Sequence, residues 1–115
     1  MKFDPTLFHE LVDHMYNGMN YSAPNNDVDH ALRRTIVSRL YYSILLQIAS
    51  KNKINARGVS DSHRMIAEKL QKRDRHLLND MKGFREDADY NLDIFVDYTI
   101  VEDQFDLYDT LLQRI

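Results

Sequence analysis

Residues 27–52, DVDHALRRTIVSRLYYSILLQIASKN, decide the fold. Val28, Ala31, Leu32, Ile36, Leu40, Ile44, Leu45 and Ile48 recur at spacings of three and four, the period of a helix with one face toward a core. Neither Gly nor Pro interrupts the run, so one long helix is expected over about 27–52. Its most apolar part, Leu40 to Ala49, is broken by Ser43 and Gln47 and falls far short of the roughly 18–20 residues that span a bilayer.

Shorter helices flank it. Asp4-Pro5 opens the first: Asp is a good N-cap, and Pro at the first helical position loses no needed hydrogen bond. Phe8, Leu11, Val12 and Met15 supply its apolar stripe, and Gly18 marks its end. Pro24, Asn25 and Asn26 punctuate a loop from Asn20 to Asp27. On the other side, Lys53 to Asp61 reads as a loop containing Gly58. Ser60 or Ser62 is then placed to cap a third helix with Met65, Ile66 and Leu70. That helix is expected to yield near Arg73-Asp74 to a fourth bearing Leu77, Leu78, Met81 and Phe84. Gly83 weakens the fourth helix by about 1 kcal/mol relative to Ala. Asn91 to Asp97 is a connector, and Thr99-x-x-Glu102 reads as a capping box before Phe105, Tyr108, Leu111 and Leu112.

There is no internal repeat and no low-complexity tract. The expected architecture is all-α, an antiparallel bundle of four or five helices forming a single domain over 1–115. Composition agrees. Three glycines and two prolines in 115 residues are too few for the tight turns of an all-β protein. With no cysteine, a disulfide scaffold, a thiolate metal site and a cysteine nucleophile are excluded. No apolar run follows Met1-Lys2-Phe3-Asp4-Pro5, so no secretion signal is read and a cytoplasmic protein is expected.

Charge is unevenly distributed. The formal total is −3, yet from Lys51 to Arg85 ten Lys or Arg oppose four acids, and from Glu86 to Ile115 only Arg114 opposes nine. Two readings follow: a basic surface for an anionic ligand, or basic and acidic segments that pack side by side and neutralise each other.

Several chemistries are excluded by spacing. His9 and His14 are five apart, about 140° round a helix, whereas two ligands on one face need a separation of four. His9 and Asp13 share a face, but two ligands do not make a metal site. No glycine-rich phosphate loop and no Gly-x-Ser-x-Gly elbow is present, which argues against the nucleotide and hydrolase chemistries those motifs serve. More informative is one stripe of the long helix, where Arg34, Ser38, Tyr41 or Tyr42, and Leu45 are neighbours, with Arg39 beside them in sequence. A tyrosine there is either a core residue with one hydroxyl partner or a ligand for phosphate or ribose. Further on stand His63 and the run Arg85-Glu86-Asp87-Ala88-Asp89-Tyr90. Arg85 and Asp89 have the spacing of a helical ion pair. Tyr90 lies about 140° from Arg85 on a regular helix. Their convergence therefore calls for a helix end, a bend or a second subunit.

In their order, Ser38-Arg39-Leu40-Tyr41-Tyr42, His63, Arg85-x-x-Ala88-Asp89-Tyr90 and Thr99-x-x-Glu102 resemble the small prokaryotic branch of the HEPN superfamily, the "higher eukaryotes and prokaryotes nucleotide-binding" domains. The resemblance covers roughly Ala31 to the C-terminus. It implies an antiparallel helical bundle that pairs as a homodimer, often beside a minimal nucleotidyltransferase partner. Many members are metal-independent ribonucleases of toxin–antitoxin or other defence systems. Their signature is Arg, four to six residues, then His, with Arg on the scissile phosphate and His in proton transfer.

Here Tyr90 occupies the position five after Arg85, and no histidine follows. A tyrosine, with an ordinary pKa near 10 against about 6.5 for histidine, is a poor base at neutral pH. His63 and His76 remain as substitutes if folding brings either beside Arg85. The expected catalytic set is Arg85, Tyr90 and His63, and the expected RNA- or nucleotide-binding set is Arg39, Tyr41, Tyr42 and Asp89, with no metal or cofactor. Cations and aromatic faces together suit single-stranded RNA. The alternative is a catalytically silent helical homodimer. In it Arg85, Asp89 and Tyr90 form a structural network and the acidic C-terminal segment is a docking face.

Overall fold

In a computed structural model, residues 4–18, 27–54 and 62–115 are described. They form five helices: α1 (Thr6–Asn17), α2 (Asp27–Lys51), α3 (Ser62–Ala67), α4 (Lys72–Tyr90) and α5 (Tyr98–Arg114). The expected all-α bundle is what the chain forms. None of its helices, among the described residues, is long and apolar enough to cross a membrane.

The long helix is central rather than peripheral. One apolar stripe was expected on it, yet Ile36 and Val37, Leu40 and Tyr41, Ser43 to Leu45, and Ile48 and Ala49 are all buried. Adjacent buried residues cover more than one face, the mark of a helix surrounded by partners. α1, α3, α4 and α5 all pack on it, and α4 and α5 also pack on each other. Val12, Ile66, Leu78, Met81, Val101 and Leu111 complete the core. A polar pin fixes the three main helices. The fully buried Gln104 donates through Nε2 to the Val37 carbonyl at 3.0 Å and the Met81 carbonyl at 3.1 Å.

Helix ends follow local chemistry. At α1, the Asp4 carboxylate accepts from Thr6 N at 3.0 Å and Thr6 Oγ1 at 2.8 Å, and Gly18 closes the other end. α2 ends in a Schellman turn: Lys53 takes φ 56°, and Ile54 N donates to the Ala49 carbonyl at 2.8 Å. α3 is shorter than its apolar spacing predicts. It stops at Ala67 in three-residue turns, and Leu70 lies beyond it. The expected caps Ser60 and Ser62, and the loops around Pro24-Asn25-Asn26 and Gly58, lie outside the described residues or side chains. α4 runs unbroken through Gly83, whose missing side chain faces open space.

At α5 the expected capping box is corrected. Asp97, not Thr99, is the N-cap, and its carboxylate accepts from Ile100 N at 3.0 Å. Asp97 is the stronger cap and comes first along the chain, so Thr99 falls inside the first turn. The connector before it is clamped by the start of α2. Arg33, fully buried, donates through Nε to the Val96 carbonyl at 2.7 Å, under the rings of Phe95 and Tyr98. The His30 ring accepts from Val96 N at 3.0 Å.

The oppositely charged segments do not cancel in bulk. Among the described residues, three ion pairs cross between the segments. Lys82–Glu86 at 3.7 Å and Arg85–Asp89 at 3.5 Å run along α4. The third joins the minority charges, with Arg114 Nη1 at 2.7 Å from the buried Asp74. Lys69, Lys72 and Arg75 stay exposed near the start of α4, and Asp103 and Asp106 stay exposed on α5.

Candidate functional site

One face of α2 meets the C-terminal half of α4, and the residues singled out in the sequence gather there. Arg34 comes first along α2. Its Nη1 donates to the Asp87 carbonyl at 3.0 Å and the Ala88 carbonyl at 2.9 Å, and its Nη2 to the carbonyls of Asn91, at 3.1 Å, and Ile94. Helix ends carry unsatisfied carbonyls and partial negative charge, so a cation with fork geometry fits there. Arg34 is thus consumed in holding the end of α4 in place.

One turn on, Ser38 donates to Asp89 Oδ2 at 3.1 Å, and the same carboxylate oxygen lies 3.5 Å from Arg85 Nε. Arg85 Nη2 donates to the Tyr42 hydroxyl. The guanidinium carbon sits 5.0 Å from the Tyr42 ring centre and 5.6 Å from those of Tyr41 and Tyr90. Arg85 therefore occupies a cage of three aromatic faces, where cation–π attraction adds to the ion pair. Its Nε makes no hydrogen bond, and its remaining N–H groups have no partner among the described residues. With 17% of its side chain exposed, the cation is reachable from one side. Burial works against its charge, but the Tyr42 hydroxyl and the Asp89 carboxylate outweigh burial and raise its pKa further.

Tyr90 joins this cage although α4 is helical to its last residue. The long arm of Arg85 covers the 140° between them, with no bend and no second subunit. Tyr90 itself is 71% exposed and presents its other side to solvent. Arg39, also exposed, brings a second guanidinium 5.9 Å from the Tyr42 ring centre. Its other aromatic neighbour is Phe8 of α1, at 5.7 Å.

His63 reaches the cluster through Tyr41. The Tyr41 hydroxyl is 2.6 Å from His63 Nδ1, and His63 Nε2 is 2.7 Å from Asn79 Oδ1. Burial pushes the Tyr41 hydroxyl pKa well up, against the lowering effect of Arg85, so it stays protonated and donates. Burial also lowers the pKa of His63, partly offset by Asn79, and favours a neutral ring. Tyr41 thus donates to Nδ1, and Nε2–H donates to Asn79. His76 does not substitute: it is exposed nine residues before Arg85, about 13 Å along the axis and on the opposite side of α4.

Asn79 is the partner that sequence reasoning missed. It has no motif, and only the turn at which α3 meets α4 brings it to His63. The His9–Asp13 pair lies 3.7 Å apart, with His9 stacked on the Tyr108 ring at 4.7 Å, so it belongs to the packing of α1 on α5. Among the described residues, no group of three His, Asp or Glu side chains converges as a metal site requires.

Comparison with family models, curated proteins and solved structures found no match for this chain.

Proposed function

We propose that this chain is an HEPN-like protein that binds RNA or a nucleotide through the phosphate, with Arg85 as the phosphate-holding cation. The observation that carries the reading is the state of Arg85: a part-exposed guanidinium in a three-tyrosine cage, with N–H groups uncommitted among the described residues. Charge-assisted bonds from Arg to phosphate are among the stronger polar contacts, and tyrosine faces stack bases regardless of sequence. In this reading Arg39 and Tyr42 extend the binding surface and Tyr90 stacks a base. Asp89, held by Ser38, keeps the guanidinium aimed.

The reaction attached to it is metal-independent RNA cleavage, in which a ribose 2′-hydroxyl attacks the phosphorus held by Arg85 and the 5′-oxygen leaves. His63 is the base, neutral and so able to accept the 2′-hydroxyl proton once Tyr41 gives up Nδ1. The setting is a cytoplasmic toxin–antitoxin or defence system, with the chain paired as a homodimer. The exposed Tyr90 of the cage, with exposed Leu92 and Phe95 in the connector that follows, suits such pairing.

One observation favours a second reading. Arg85 is already satisfied in part by Asp89 and Tyr42, as a structural network would be. The chain is then a catalytically silent module, whose partner is a minimal nucleotidyltransferase acting on a tyrosine of the cage.

Incubating a labelled mixed RNA pool with the protein in EDTA separates the two, with binding followed at 50 and 200 mM salt. The first reading expects binding that falls steeply with salt. It also expects Arg85→Ala to weaken binding at least tenfold, and any cleavage to vanish with Arg85→Ala and with His63→Ala. Asp89→Asn, which loosens the guanidinium from its aim, weakens RNA binding severalfold. No RNA binding by the folded wild-type protein, with Asp89→Asn merely less stable, gives the second reading.

A further inference from the structure

On the side of α4 away from Arg85, α4 and α5 enclose an open groove of about 590 Å³. Its lining comes from these two helices alone, at positions 79, 80, 83, 84 and 87 of α4 and 103, 106, 107 and 110 of α5. Those numbers are the i, i+3, i+4, i+7 stripe of each helix. α2 backs the pair from the other side, so the groove is the place that a further helix of the bundle would fill.

Its floor is apolar, with half-buried Phe84 on the α4 side and Leu107 on the α5 side. At its centre Gly83 leaves the backbone bare, and a β-carbon built there meets nothing within 4 Å. Gly83 costs helix stability, which the sequence of α4 does not otherwise require. What it provides is width, allowing another backbone to approach closely. The stripe covers about 10 Å of each helix axis, or two turns.

The rim is uniformly negative. Asp80 and Asp87 rise from α4, and Asp103 and Asp106 from α5. Among the described residues, none of these four carboxylates makes an ion pair or side-chain hydrogen bond, and no Lys, Arg or His lines the groove. An anionic strand is repelled from such a surface. A small cation gains nothing from the apolar floor. The occupant that satisfies floor, rim and length together is a helix with apolar residues at i, i+3 or i+4 flanked by Lys or Arg.

We propose that the α4–α5 groove is a docking site for a cationic amphipathic helix of a partner protein. The Arg85 cage lies on the other face of α4, and the groove shares with the candidate site only Asn79, at its end. The chain's own basic surface at α3 and the start of α4 is a poorer occupant. Among the described residues its large exposed hydrophobic residue is Met65, without a second at helical spacing.

The probe is a fluorescein-labelled 18-residue peptide of Lys and Leu with leucines at i, i+3, i+4 spacing. A scrambled peptide of the same composition serves as control, and binding to the full chain is read by anisotropy. The amphipathic peptide is expected to bind at least tenfold more tightly than the scrambled one. Gly83→Leu, which fills the groove and adds helix propensity, weakens that binding at least tenfold while leaving the thermal melt no lower. Asp103→Lys with Asp106→Lys does the same by charge, and Arg85→Ala leaves it unchanged. Equal binding of the scrambled peptide overturns the proposal, because attraction is then mere charge. So does wild-type affinity in Gly83→Leu. Self-association of the chain that Gly83→Leu abolishes also overturns it, since the occupant is then a second copy.

Discussion

Arg85 and Asp87 are two residues apart on α4, and the faces they occupy are managed in opposite ways. Toward α2, charges come with partners: Arg85 with Asp89 and Tyr42, Asp89 with Ser38, and Arg34 with four carbonyl groups. Toward the outer groove, Asp80 and Asp87 meet Asp103 and Asp106 and no cation. For the arginines the difference tracks access to water, whereas Asp89 is itself exposed. An ionic or polar group withdrawn from solvent is costly unless matched. A solvated carboxylate carries only mild repulsion from its neighbours. Stability at every salt concentration therefore reads the inner face, and its salt-dependent part reads the outer one.

The largest expected effect breaks the inner face at its best-matched cation. Arg34→Ala strips the end of α4 and the connector of four charge-assisted hydrogen bonds, which lowers stability by about 2–3 kcal/mol. Arg34→Lys recovers less than half of that, because an ammonium lacks the fork that reaches both Nη1 and Nη2 acceptors. Urea unfolding followed by circular dichroism measures both. A loss under about 0.5 kcal/mol in Arg34→Ala would falsify the claim that inner-face matching is structural.

A smaller effect sharpens the same face through pH. His63 has a lowered pKa in the folded chain, chiefly from burial, so near and below its ordinary value the unfolded chain binds more protons. Stability from this group is present above about pH 6.5 and is lost as pH falls from there toward the folded pKa. The urea midpoint should decline over that window in the wild type, and the decline should be reduced in His63→Gln. Asn79 offsets part of the burial effect, so Asn79→Ala deepens the decline. A His63→Gln profile that superimposes on the wild type shows that the ring titrates as it does in water.

How far the sequence reached depended on the range of the forces involved. Helix identity and most helix ends were legible, because periodicity, Asp4-Pro5 and Gly18 act over a few residues. The cap of α5 was misplaced because Asp97 and Thr99 are both acceptable caps, and the choice turns on where the connector lets the helix begin. That connector is set by Arg33, Arg34 and His30 from more than fifty residues away. The central position of α2 was hidden as well, since Ser38, Ser43 and Arg33 look solvent-facing until their partners are known. In the candidate site, Arg85, Tyr42 and Asp89 were legible from the motif and the i, i+4 spacing. The Tyr41–His63–Asn79 chain was only half legible, because it depends on how the short α3 turns into α4. The outer groove was only half legible: the alternative reading made the acidic C-terminal segment a docking face, but only the packing of α4 beside α5 aligns the two stripes.

The smallest expected effect concerns that alignment and has the opposite sign from the first. Asp103 and Asp106 are three apart on α5 and share the groove rim with Asp80 and Asp87, so each carboxylate raises the energy of the others. Asp106→Asn removes one charge, keeps the side-chain shape and leaves the Thr110 hydroxyl bonded to the backbone carbonyl of residue 106. It should stabilise the free chain by about 0.2–0.5 kcal/mol at low salt, the size of a like-charge pair at helical spacing. The gain should fade as ionic strength rises, because the screening length shrinks from about 30 Å at 0.01 M to about 3 Å at 1 M. On the inner face the same exchange, Asp89→Asn, destabilises at every salt concentration, since there it unmatches Arg85 and Ser38. If Asp106→Asn destabilised the chain as Asp89→Asn does, its carboxylate would have a partner in solution. The two faces of α4 would then differ in depth but not in kind, and the rim would have no unmet charge for a cationic helix to answer.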